Sequence, residues 1–146
     1  MLARTNLIGA ILAGAYFLTC ILLFSLRLLG KPEIGRSIAT IQFLAAIPLL
    51  YLLFTAPQLQ RSRLYYIQVL LMLAFLIAEL LLDYIFKVEF RQVRWMVITY
   101  VVFFFAATGG LLGVARLAGQ VWITLDGILY LVMAVLAFVQ RGVTGL

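Results

Sequence analysis

The sequence predicts an all-α, polytopic transmembrane bundle of five membrane-spanning helices, and three observations carry that reading. Mean hydropathy is +1.20, 66% of the residues are apolar and only 11% are charged, whereas about 25% of an ordinary soluble domain is charged. Five apolar runs are each long enough for a hydrocarbon core of about 30 Å, which takes about 20 residues of helix. The connections between them are short and hold helix stops and polar residues, such as Gly30-Lys31-Pro32-Glu33 and Arg61-Ser62-Arg63. No polar stretch is long enough for a second core, so residues 1–146 read as a single integral membrane domain.

The first run, about residues 7–26, is longer than the roughly 7–15 residues of a signal-peptide core and reads as a retained helix. Gly9 with Ala13, and Ala10 with Gly14, recur at i and i+4, which flattens one face for a closely packed neighbour. The second run, 34–56, carries Arg36, Ser37, Thr40 and Gln42 in its first third and Pro48 near its middle. Proline has no N–H for the carbonyl of Leu44, so a kink is expected there.

The third run, 64–86, opens on Tyr65-Tyr66 and sets Gln68, Met72, Phe75, Glu79, Asp83 and Lys87 on one stripe by i+3 and i+4 steps. Asp83 lies about one turn from the following loop, where Lys87 at i+4 or Arg36 is a natural partner. Glu79 is deeper, about 6 Å past the helix midpoint, too far in for a short acidic side chain to reach water easily. Lipid supplies no hydrogen bonds, so an acid at that depth faces protein, a partner charge or a water-filled cavity. Gln42 and Thr40, at similar depth on the second run, are the expected polar neighbours of Glu79.

The loop from Lys87 to Trp95 alternates charged and apolar residues, as a segment lying along headgroups does. The fourth run, 95–115, contains Ala106-x-x-x-Gly110 and Gly109-x-x-x-Gly113, the small-residue spacing of tight helix crossings, and the adjacent glycines allow a local break. The fifth, 120–139, holds Asp126 with no basic residue near it on the same helix, so its partners must come from elsewhere, Thr108 or a tyrosine hydroxyl such as that of Tyr130 being expected. Glu79 and Asp126 fall on opposite sides of the midplane, about 10 Å apart along the membrane normal.

Composition narrows the chemistry. The chain has no histidine and a single cysteine, Cys20, which rules out an intrachain disulfide and removes the commonest ligand of zinc, haem and imidazole acid–base sites. No metal site, cofactor or catalytic set is expected. The net charge of +6 comes from Lys and Arg placed mainly between the apolar runs, a topology signal and not a nucleic-acid footprint. In a five-pass chain the face bearing the N-terminus holds four basic residues and the other holds seven, which predicts N-terminus outside and C-terminus inside. The helix count is similar to that of the translocator family, but Trp95 and Trp122 are the only tryptophans, and no residue is carried over from it.

The sequence therefore reads as a multi-pass protein of a plasma or inner membrane, in contact with the bilayer and part of a homo-oligomer or larger membrane complex. Its expected role is that of a non-enzymatic structural or accessory subunit. The alternative is a small oligomeric transporter or channel in which Glu79, Asp83 and Asp126 handle protons or cations.

Overall fold

The structure is a computed structural model that describes residues 2–85 and 94–144; the side chains of Leu2, Pro32, Gly35, Arg36, Asp83, Tyr84, Ile85 and Thr144 lie outside the described set. Its helices are α1 (Leu2–Leu28), α2 (Pro32–Gln42), α3 (Ala46–Thr55), α4 (Arg63–Glu79), α5 (Arg94–Ala115) and α6 (Gln120–Thr144). No strand occurs among the described residues. A 3-10 step at Phe43–Ala45 joins α2 to α3 as one span, and a π-helical stretch at Leu80–Ile85 continues α4. Five helices are thus long and apolar enough to cross a membrane.

Local chemistry explains the ends. Gly30 takes φ +76°, and Lys31 N–H closes on Leu26 C=O at 2.9 Å, the glycine-terminated cap in which no Cβ opposes the left-handed turn. The second span starts at Pro32, where a missing N–H costs no helical bond. The side chain of Ser62 accepts from Tyr65 N–H and starts α4. The 3-10 step contains Leu44, the residue whose carbonyl loses its donor to Pro48. The double glycine has the opposite outcome: α5 runs unbroken through Gly109-Gly110, because tertiary contact on that face replaces the missing propensity.

α1 is the centre of the bundle, packed against α2, α3, α5 and α6, while α4 lies on α5 and α3. Ala10, Ala13 and Phe17 are fully buried on it and meet Leu49 and Leu52 of α3, Met72 and Phe75 of α4, Ala107 and Leu111 of α5, and Met133 of α6 in one core. Gly9 lets α5 approach, since a Cβ there would stand 2.9 Å from Val114 Cγ1. On α5, a Cβ at Gly110 would lie 3.4 Å from the backbone Cα of Gln68, while one at Gly113 would collide with the amide end of Gln68. The small-residue stripe of α5 therefore serves a contact within the chain.

Those two glycines predict different tolerances. Gly110→Leu drives a branched side chain into the α4 backbone and is expected to destabilise the protein by about 3 kcal/mol, the upper part of the range for overpacking. Gly113→Ala meets only the end of a flexible side chain that can swing away, so it should change stability by less than about 0.5 kcal/mol. Thermal midpoints of the two variants in one detergent decide the matter: equal midpoints would contradict the packing described.

Candidate functional site: an intramembrane cavity

The helix directions put the C-terminal halves of α1, α4 and α6 and the N-terminal halves of α2 and α5 at the same end of the bundle. There they enclose a cavity of about 240 Å³. One face of α1 contributes Tyr16, Cys20, Leu23 and Arg27, at helical steps of four, three and four; Gln42 comes from the end of α2 and Glu79 from the end of α4. α5 adds Tyr100 and Phe104, and α6 adds Gln140 and Arg141.

Polar contacts line the wall. Tyr100 Oη donates to Glu79 Oε1 at 3.1 Å. Gln42 Nε2 donates to Thr19 Oγ1 at 2.8 Å and to Cys20 Sγ at 3.3 Å. Both polar groups stand where a spanning helix leaves α geometry: Gln42 is the last residue before the 3-10 step, and Glu79 the last before the π stretch. Such departures free backbone groups and are tolerated at membrane depth where they border protein or a cavity.

The cavity is graded along its length. Arg27 and Arg141 belong to the last turns of α1 and α6, and the Arg27 guanidinium lies 6.0 Å from the centre of the Phe24 ring. Glu79 ends α4, six residues or about 9 Å before Ile85, the last described residue of the π-helical stretch. The lining rings of Tyr100 and Phe104 rest on Phe75, which also packs on Phe103, with centroids 5.4–5.5 Å apart. Between α5 and α6, Phe105 stacks on Phe138 at 5.5 Å and 15°. Phe138 is 65% exposed, so this stack stands at the outer surface of the bundle.

Several expected partnerships take another form. The amide of Gln42 goes to α1, although Gln42 and Glu79 share the cavity, and Thr40 is exposed, on the outer side of α2. Gln68 serves the α4–α5 contact in the other half of the bundle, eleven residues from Glu79. Asp126 is fully buried, and neither carboxyl oxygen has a hydrogen-bond partner among the described residues. Its anticipated donors are engaged on α5: Thr108 Oγ1 donates to Phe104 C=O at 2.7 Å, and Tyr130 Oη to Phe105 C=O at 3.3 Å. In-helix carbonyls are always within reach of a threonine, which makes this the low-strain choice. Asp126 instead abuts Gly14, where a Cβ would stand 2.8 Å from Oδ1, and it is not among the cavity-lining residues. The side chains of Asp83 and Arg36 lie outside the described residues.

Tyr16, Tyr100, Gln140, Arg27 and Arg141 were not singled out as partners of Glu79 by sequence. Their helical spacing, Tyr16-Cys20-Leu23-Arg27 above all, is the signal that could have grouped them. Comparison with protein-family models, curated proteins and solved structures finds no match.

Proposed function

We propose that this chain is a small membrane carrier in which Glu79 binds and releases a proton or cation within the cavity. One observation carries the reading: two stretches where spanning helices depart from α geometry, Phe43–Ala45 and Leu80–Ile85, each follow directly on a polar side chain, Gln42 and Glu79, that lines the same cavity. Broken spans converging on a central polar site are the common construction of transporters, because a helix interruption is a place where one part can move against another. With N-terminus outside and C-terminus inside, as the excess of basic residues at the cavity end supports, the cavity faces the inner side of a plasma or inner membrane. Asp126, packed on Gly14 away from the cavity, has no part in the binding step.

The test is proton flux into proteoliposomes, read with a trapped pH-sensitive dye under an imposed pH gradient, with sodium and potassium gradients as the cation arms. Flux above that of empty vesicles, lost in Glu79→Gln, supports the carrier; flux unchanged by that substitution overturns it.

The accessory-subunit reading keeps one specific observation. Only 11% of the apolar window of α6 is buried, against 44% for α1, which leaves Leu125, Ile128, Leu131, Val135 and Val139 on an open apolar face. In a membrane either lipid or a partner subunit would cover it. Gentle solubilisation and mass measurement distinguish the cases: stoichiometric foreign subunits favour the accessory role, and a pure homo-oligomer favours the carrier.

A further inference from the structure

We infer that Asp126 is a proton-operated latch: as a neutral acid it holds α6 against α1, and once ionised it lets α6 move out, taking one wall of the cavity with it. The latch is separate from Glu79 and does not rest on cation binding there. Three observations carry it. Among the described residues of α6, Asp126, Met133 and Gln140 are the buried ones, seven residues apart, so a single narrow stripe docks the helix. Asp126 has no exposed surface, and neither carboxyl oxygen has a hydrogen-bond partner among the described residues. The space is also closely bounded, since a Cβ at Gly14 of α1 would stand 2.8 Å from Oδ1. A neutral carboxyl group is tolerated in such a place, whereas an ionised one without donor or counter-charge is among the costliest groups to bury. Separation of α6 from Gly14 admits water and relieves that cost.

The surrounding elements supply no charge to Asp126. α6 packs on α1, on α5 and on the 3-10 turn Arg116–Ala118. On α1, Arg4 is exposed and lies ten residues, about 15 Å along the helix, before Gly14, while Tyr16, Cys20 and Arg27 line the cavity. On α5, Arg94 is exposed and Tyr100 donates to Glu79; Arg116 of the turn is exposed as well. On α6 itself, Tyr130 donates to Phe105 C=O and Arg141 lines the cavity. Burial alone therefore acts on Asp126. Its position couples it to the cavity. α6 is one unbroken helix from Gln120 to Thr144, and its cavity-lining residues, Ala137, Phe138, Gln140 and Arg141, begin eleven residues, about 16 Å, beyond Asp126. With only 11% of its apolar window buried, α6 is the span held least by its neighbours. A rigid helix released at Asp126 carries the cavity wall with it.

The test is the distance between the cavity ends of α1 and α6 as a function of pH. Leu29 and Val143 are 72% and 71% exposed there, so Leu29→Cys and Val143→Cys, in a chain whose single native thiol is removed by Cys20→Ala, accept spin labels without disturbing the core. Their separation is measured by pulsed electron resonance in phosphatidylcholine vesicles at about pH 5 and about pH 8.5, both above the roughly 3.9 of a free aspartate. A single distance is expected at the acid end, and at the alkaline end a second population longer by about 5 Å, the scale of a one-turn helix displacement. Asp126→Asn keeps the shape of the acid and stays neutral, so it should hold the acid distance at both pH values. Asp126→Leu, an apolar residue of similar volume, serves as the second variant if asparagine lowers the thermal midpoint. Glu79→Gln should leave the pH response intact. Distances that ignore pH, a response that survives both Asp126 substitutions, or one lost in Glu79→Gln would overturn the latch. The distance is read without flux, so the latch and the carrier can each fail while the other stands.

Discussion

Glu79→Gln is expected to bring proton flux down to that of protein-free vesicles while leaving the bundle assembled. Glutamine has the shape of glutamate and keeps an oxygen to accept from Tyr100, so the 3.1 Å bond between α4 and α5 survives. What it loses is the exchangeable proton. Tyr100→Phe separates the two roles, since it removes one hydrogen bond and leaves the acid; a bond to an ionisable group is worth about 1.5–3 kcal/mol at most, so flux should fall by about tenfold and not vanish. Asp126→Asn should leave flux within about twofold, because Asp126 packs against Gly14 and does not reach the cavity. Flux abolished by Asp126→Asn would place the second acid on the path and refute that separation.

Gly14→Ala is expected to destabilise the protein by about 1–3 kcal/mol, and removing the carboxyl in the same chain should restore most of the loss. A Cβ at this position would stand 2.8 Å from Asp126 Oδ1 and about 4 Å from Leu129 Cδ1, on the helix pair with the most extensive contact in the bundle. The double variant Gly14→Ala with Asp126→Ala takes away the atom that is struck, so the two changes should be non-additive by about 1–2 kcal/mol. Gly127→Ala is the internal control: nothing lies within 4 Å of a Cβ there, and alanine is the better helix former by about 1 kcal/mol. Additive losses in the double variant would mean that Gly14 is needed for some reason other than room for Asp126.

Much of the architecture was legible because membrane burial writes itself into single helices. Length and hydropathy mark five spans, and Pro48 marks the span that takes a 3-10 step, since the loss of a donor for Leu44 is a local fact. The small residues of α1 and α5 mark faces of close approach for the same reason. The site was legible only in part. Periodicity shows that Tyr16, Cys20 and Arg27 share one face of α1, and that Val97, Tyr100 and Phe104 share one of α5, but not that these faces meet around Glu79. Nor does it show which of several donors a buried acid meets. Thr108 stood at a suitable depth for Asp126, yet a carbonyl on its own helix is closer for any threonine. Gln42 stood at a suitable depth for Glu79, yet its amide reaches Thr19 and Cys20 of α1.

The central position of α1 also has a bearing on how the protein is made. α1 packs most extensively against α6, the most distant from it in sequence of the helices described. Gly14 and the buried face around it therefore wait, unburied by their final partner, through synthesis of the three intervening spans. The bundle closes only when residues 120–144 have entered the membrane. A chain stalled before that point presents a flat, glycine-lined surface to other nascent helices.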